Sequence, residues 1–252
     1  MRQTRIIPQI LIHNNGVYKT VRFSKPRYIG DPINTIKLFN ELEVDELFVV
    51  DIDCSKNNNK INYNFIEDIV GEARMPVTYG GGITCAQSAI SVLQSGIEKI
   101  LINKSFIKDD SIISKIQAKV GSQSVVVSLN VKKDSAGKFF LYDYISKKNI
   151  KISLIDAAIL AEKLGAGELI VTSVEKDGML NGLDLGILED LNEVINIPII
   201  ICGGAKSYQD FIEAQKLGAS GVAAGSLFVY HGKINGILIN YPSQSKLNSI
   251  LQ

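Results

Sequence analysis

A single internal offset and a regular alternation of apolar runs with helix-period segments predict an α/β chain folded as one (β/α)8 TIM barrel, assembled from two repeated half-barrels. Glu46-Leu47 recurs as Glu168-Leu169, Pro76 as Pro198, Gly81-Gly82 as Gly203-Gly204, Gly96 as Gly218 and Phe106 as Phe228, each pair 122 residues apart. One spacing shared by five motifs marks the duplication of a block. The alternation supplies eight strand-then-helix units in 252 residues, the count that closes a parallel barrel. A doubly wound open sheet is the alternative, and it gives no reason for a unit to occur twice. No linker or low-complexity tract divides the chain, so one domain over 1–252 is expected, with halves of about 1–121 and 122–252.

The strands read as short, continuous, β-branched runs, the pattern of a parallel sheet covered on both faces. The first is Arg5 to Leu11. The segment from His13 to Gly30, rich in Asn, Lys and Arg, is long enough for a mobile lid. A helix from Ile33 to Leu42 follows, started by Asp31-Pro32 and carrying Ile36, Leu38, Phe39 and Leu42 on one face. Strands at Glu46 to Asp51 and Pro76 to Tyr79 precede a helix at Cys85 to Gln94, which Gly96 stops. Lys99 to Asn103 is the next strand, with a helix at Asp109 to Ala118 behind it. Val125 to Asn130 runs into Lys132 to Tyr144, which reads as an inserted hairpin turning at Ser135 to Gly137. Leu154 to Leu164 is helical and stops at Gly165. Glu168 to Ser173, Pro198 to Cys202 and Gly221 to Gly225 complete the strands, and a helix from Tyr208 to Leu217 starts behind Ser207 and stops at Gly218. Pro242 interrupts the expected final helix.

Composition narrows the function classes. The chain is 46% hydrophobic and 21% charged, with 27 Lys+Arg against 26 Asp+Glu, which excludes disordered, collagen-like and disulfide-scaffold classes. A formal charge of +1 gives no electrostatic reason for nucleic acid or an anionic membrane as partner. Cys54, Cys85 and Cys202 show no metal-ligand or redox spacing, and His13 and His231 are the only histidines, so neither a metal nor another cofactor is expected. A reduced, cytoplasmic setting fits these thiols. The residues from Met1 to Arg5 lead into only a short apolar run, and no stretch approaches the roughly 18 apolar residues of a membrane span.

Active sites of such barrels lie at the C-terminal ends of the strands. Gly81 and Gly82 follow the third strand and Gly203 and Gly204 the seventh; the strands after them end at Asn103-Lys104-Ser105 and at Gly225-Ser226. Glycines there let backbone N–H groups approach an anion, which predicts two phosphate sites facing each other and a bisphosphorylated ligand. Tight turning alone also accounts for a glycine pair. At the opposite mouth, Arg5, Glu46, Lys99 and Glu168 each precede or open an apolar strand. Pointing at the axis, two cations and two anions predict a ring of alternating salt bridges. A plug that merely stabilises the barrel base has the same appearance.

Arg5-Ile6-Ile7-Pro8, Gly30-Asp31-Pro32, Asp45 to Asp51, Gly80 to Ile83, Lys99 to Asn103, Gly165 to Glu168, Thr172-Ser173, Asp177-Gly178 and Gly203-Gly204-Ala205 together resemble the cyclase subunit of imidazole-glycerol-phosphate synthase. The resemblance runs in order from about residue 2 to 230. It implies a barrel docked on a separate glutaminase subunit, with ammonia entering through the quartet Arg5, Glu46, Lys99 and Glu168 and reaching a bisphosphorylated nucleotide at the other end. It also implies two acid/base aspartates, from the first and fifth strands. Here those positions hold Leu11 and Asn130. Neither side chain exchanges a proton near neutral pH, so loss of the standard cyclisation is expected.

By the same resemblance, Asp51 and Asp177 lie near the ligand and hold its polar groups, although capping of a loop is also a common role for Asp. Lys19 matches the family's loop lysine, while Thr20 and Arg22 depart from its usual neighbours; His13 reads as a solvated loop histidine. The implied setting is ammonia supply for amidination of a surface-glycan sugar, with a separate sugar amidotransferase. The alternatives are a genuine histidine-biosynthesis cyclase with relocated acid and base, the related sugar isomerase of that pathway, and a purely structural module.

Overall fold

The computed structural model describes residues 4–57, 60–232 and 234–251; the outermost positions of the expected domain, 1–3 and 252, lie outside them. Eight strands form the barrel wall: β1 (Arg5–His13), β2 (Leu47–Asp51), β3 (Val77–Gly80), β4 (Lys99–Ile102), β5 (Val125–Lys133), β6 (Glu168–Ser173), β7 (Ile199–Cys202) and β8 (Gly221–Ala224). Each pairs in parallel with the next, and β8 pairs with β1 through Arg5↔Gly221 to Pro8↔Ala224, which closes the sheet. The expected strands are therefore all present, within one to three residues at their ends.

Helices α1 (Pro32–Glu41), α2 (Tyr63–Glu72), α3 (Ala86–Gln94), α4 (Ser111–Val120), α5 (Leu154–Lys163), α6 (Gly186–Leu191), α7 (Tyr208–Lys216) and α8 (Gln244–Ile250) lie between and after them. The expected start Asp31 caps α1, its side chain accepting from the Asn34 amide at 2.9 Å. Pro242 does not cut through the last helix; it precedes the Ser243 cap from which α8 begins.

The repeat has a geometric counterpart. Cys85 caps α3 at φ −156°, ψ 167°, and Ser207, 122 residues later, caps α7 at φ −156°, ψ 168°. Gly81 has φ +128° and Gly203 φ +97°. A Cβ on Gly81 would stand 2.5 Å from the Asp51 carbonyl oxygen, and one on Gly203 would stand 2.7 Å from that of Ser173. Both contacts exclude any side chain, and Asp51 and Ser173 are themselves 122 apart.

Two departures bear on the site. The His13 to Gly30 segment is not a loose loop: strands Gly16–Val21 and Ser24–Gly30 form a hairpin that extends β1, with Leu11↔Tyr18 and Val17↔Gly30 in register. The insertion after β5 is the expected hairpin, Val131↔Leu141 to Lys133↔Phe139, and continues into a further strand, Lys148–Ser153. Buried side chains form two apolar bodies, a large one between wall and helices, and a small one on the axis.

Candidate functional site

The barrel interior is layered from the N-terminal mouth upward. At the base, Arg5 Nη1 lies 2.5 Å from Glu46 Oε2, and Arg5 Nη2 contacts Glu168 Oε1. Lys99 Nζ lies 3.5 Å from Glu46 Oε1 and 3.1 Å from Glu168 Oε2. The quartet therefore faces inward as a closed, alternating ring. Thr78, which sequence reasoning did not single out, donates its hydroxyl to Glu46 Oε1 at 3.0 Å. Burial alone would lower the Arg5 pKa, but the two carboxylates outweigh it and raise it. Above the ring, Ile7, Phe48, Leu101, Val126, Ile170 and Ile200 pack the axis with apolar side chains.

At the C-terminal end a cavity of about 420 Å³ opens, with Leu11 and Asn130 in its lining. Register places Asn130 beside Thr172, and Leu11 beside Val50 and Tyr18. The cavity also runs over Gly81, Gly82, Asn103, Lys104 and Ser105. Lys104 Nζ is held 2.7 Å from Asp143 Oδ2 on the inserted hairpin. The Asn103 amide donates to the Ser128 carbonyl at 2.6 Å, and its Oδ1 is buried without a partner among the described residues. Gly203, Gly204, Gly225 and Ser226 line a smaller space of about 20 Å³ that adjoins the main cavity at Gln9, Lys19 and Asp177.

Asp51 and Asp177 both reach the main cavity, and both are engaged by the chain itself. Asp51 Oδ1 accepts from the amides of Asp53 at 2.9 Å and Cys54 at 3.0 Å, capping the short helix Ile52–Asn57, and Oδ2 accepts the Cys54 thiol at 3.2 Å. Asp177 Oδ2 accepts the Thr20 hydroxyl at 3.2 Å and the Phe23 amide at 3.4 Å, which fastens the hairpin over the cavity. Burial raises the Asp177 pKa against the pull of Lys19, and burial lowers that of Lys19 against the pull of Asp177. Burial also pushes the Cys54 and Cys202 thiols up to about 12.

His13 ends β1 rather than standing free in a loop; its Nδ1 lies 2.7 Å from Asp53 Oδ1. Phe23 and Tyr144 meet edge to face, ring centroids 6.5 Å apart, and both line the cavity from opposite hairpins. No sequence signal joined these two, because they are 121 residues apart on insertions outside the barrel pattern. Among the described residues, no group of His, Cys, Asp and Glu could hold a metal ion, and no helix is long and apolar enough to cross a membrane.

Comparison with known proteins gives one consistent answer. Residues 5–235 match the family described as "Histidine biosynthesis protein". A provisionally named imidazole glycerol phosphate synthase subunit hisF2 of Pseudomonas aeruginosa is 41% identical over 249 residues, covering 98% of this chain and 99% of the relative. A provisionally named subunit hisF3 of Vibrio vulnificus is 38% identical, over 100% and 98% of the two chains. The imidazole glycerol phosphate synthase subunit HisF of Petrotoga mobilis is 33% identical, over 91% and 92%.

Proposed function

The chain belongs to the histidine biosynthesis protein family, and from that premise we propose that it is the barrel subunit of an ammonia-transferring pair in which standard cyclisation has been lost. A glutaminase docks at the N-terminal mouth and releases ammonia into the ring of Arg5, Glu46, Lys99 and Glu168. Neutral ammonia then crosses the apolar layer, where its charged form would be rejected. At the far end the cavity binds a phosphorylated ligand, with Gly81, Gly82, Asn103, Lys104 and Ser105 as one phosphate seat and Gly203, Gly204, Gly225 and Ser226 as its repeat-related partner. Asp51 and Asp177 shape the cavity by holding the Ile52–Asn57 helix and the hairpin in place.

The observation that supports this reading is the contrast between the barrel's two ends: the four-charge ring is complete, whereas the cavity is lined by Leu11 and Asn130, where the resemblance implies an acid and a base. An amide and an isobutyl group leave the cavity without a proton carrier at those two places. The ammonia is then consumed by a separate sugar amidotransferase in surface-glycan biosynthesis, in the cytoplasm. The one domain, in this reading, is a fusion of two half-barrels.

The test is reconstitution of the full chain with a synthase-type glutaminase. We expect a heterodimer on gel filtration, glutamine hydrolysis stimulated in the complex, and no turnover of the ribulosyl aminoimidazole nucleotide with ammonium salt. Turnover by the unaltered chain would instead support the histidine-pathway cyclase with relocated acid and base. Absence of both complex and stimulation would remove the glutaminase from the account.

A further inference from the structure

The formal charge of +1 conceals a division of charge along the chain. The hairpin over the cavity, residues 16–30, and the insertion after β5, residues 131–153, together hold ten of the 27 Lys and Arg but two of the 26 Asp and Glu, a net +8 against −7 for all other residues. Both stand at the C-terminal mouth, on strands from different sides of the wall, and meet there through the rings of Phe23 and Tyr144. Among the described residues one of the ten cations forms an ion pair, Lys133 with Asp184 at 3.0 Å. The two acids are already engaged: Asp143 with Lys104, and Asp134 with the amides of Ala136 and Lys138 in the hairpin turn.

Two simpler accounts cover part of this pattern. Each hairpin ends in an open sheet edge, since Ser24–Gly30 pairs only with Gly16–Val21 and Lys148–Ser153 only with Phe139–Asp143. Charge on an edge prevents pairing with another sheet, but either sign serves, so edge protection gives no reason for cations alone. An anion in the cavity accounts for Lys25 and Lys147, which line it; Arg27, Lys138, Lys148 and Lys151 are exposed and do not. Tyr28, 54% exposed, and the exposed Ile152 stand among those cations. Aromatic and aliphatic side chains of this kind anchor protein partners, whereas a phosphate backbone is held by charges and hydrogen bonds. A second copy would bring the same positive face and be repelled.

We propose that the two hairpins form the docking surface for a protein with an acidic face, the enzyme that consumes the ammonia. This rests on the channel reading given above: ammonia that crosses the barrel meets Leu11 and Asn130 in place of an acid and a base, and ammonia released into water is diluted and protonated, so the acceptor enzyme has to cover the mouth. Cations around that mouth draw an acidic partner over it and speed the encounter.

The experiment measures binding of the sugar amidotransferase from the same genome to the full chain by biolayer interferometry, at about 50 and 300 mM salt, where screening differs strongly. The unaltered chain is compared with a mouth variant, Arg27→Glu, Lys138→Glu, Lys148→Glu and Lys151→Glu, and with a helix variant, Lys37→Glu, Lys119→Glu, Lys163→Glu and Lys216→Glu, each checked for folding by circular dichroism. We expect binding that weakens about tenfold at the higher salt, falls about 100-fold in the mouth variant and stays within about threefold in the helix variant. No binding, equal loss in both variants, or binding indifferent to salt would overturn the inference; the salt series needs no substitution. Oligouridylate RNA, phosphatidylglycerol vesicles and self-association of the chain are measured alongside. If one of these is abolished by the mouth variant while the amidotransferase does not bind, the face belongs to that occupant and the inference is overturned. Glutamine hydrolysis by the paired glutaminase is read in the same samples: its stimulation without amidotransferase binding leaves the channel reading standing and removes the docking surface, whereas loss of stimulation counts against the channel and leaves the docking surface to be decided by the binding data.

Discussion

Lys99 Nζ lies 3.1 Å from Glu168 Oε2, a contact from β4 to β6 across the N-terminal mouth that completes the ring begun by Arg5. The acids are the more buried members: the side chains of Glu46 and Glu168 are 5% and 6% exposed, against 30% for Arg5 and 18% for Lys99. Removing Arg5 therefore leaves two buried carboxylates sharing Lys99 alone, whereas removing an acid leaves cations that water can reach. Arg5→Met should cost about 3 kcal/mol of stability, and Glu168→Gln about half of that, toward the lower end for partly exposed pairs. Urea unfolding with an unchanged m-value checks the order; equal costs would contradict it.

The three thiols should separate cleanly in reactivity. Burial raises Cys54 and Cys202 to about 12, while the exposed Cys85 is lowered by the Ser88 amide at the start of α3. Thiolate is the attacking form. Ellman titration of the native chain at pH 8 should show one fast thiol, abolished by Cys85→Ser, with the other two appearing only on unfolding.

Asp143 supplies a pH dependence of definite sign. Burial would raise its pKa, but the Lys104 ammonium, the Ser146 hydroxyl and the Ile145 amide outweigh it and hold it below the ordinary 3.8. A carboxyl depressed by folding contributes stability above its unfolded pKa and loses it as pH falls through the folded value. Asp143→Asn should thus be less stable than the unaltered chain by about 2 kcal/mol at pH 7. The gap should close only below about pH 4. A gap that widens toward acid would contradict the assignment.

If the cavity lacks an acid and a base, as proposed, placing carboxyl groups at Leu11 and Asn130 should supply the chemistry. Leu11→Asp with Asn130→Asp is expected to raise ammonia-dependent turnover of the ribulosyl aminoimidazole nucleotide by at least about 10², the lower range for one general acid or base. Each single variant should fall well short of the pair. Following imidazole product by absorbance or chromatography decides it.

The barrel was legible because its wall is encoded locally. Ile6-Ile7, Phe48 to Val50, Val125 to Val127 and Ile199 to Ile201 are continuous apolar runs that no amphipathic helix would use. The same holds for the charge ring, since Arg5, Lys99 and Glu168 each open the strand that follows and Glu46 immediately precedes its own. The hairpin over the cavity was not legible. Its turns place Asn14, Asn15, Arg22 and Phe23 at φ values of 46°, 58°, 52° and 58°, a left-handed geometry usually announced by glycine. Arg22-Phe23 gives no such signal, so the strand that delivers Lys19 to the cavity read as a loop. Helix α2 is equally hard to read from the sequence: Asn62 caps it by accepting from the Phe65 amide at 3.1 Å, but Gly71 near its end weakens the helical pattern.

The central claim is that nitrogen passes from the charge ring to the cavity inside the barrel. Its most direct test uses the Leu11→Asp, Asn130→Asp variant paired with a synthase-type glutaminase, supplied with amide-nitrogen-15 glutamine in excess unlabelled ammonium, and reads the isotope content of the imidazole product by mass spectrometry. Product that carries the label despite the unlabelled pool is the predicted result. Product whose label matches the bulk ammonium would mean that nitrogen arrives from solvent, and the passage through the barrel would be refuted.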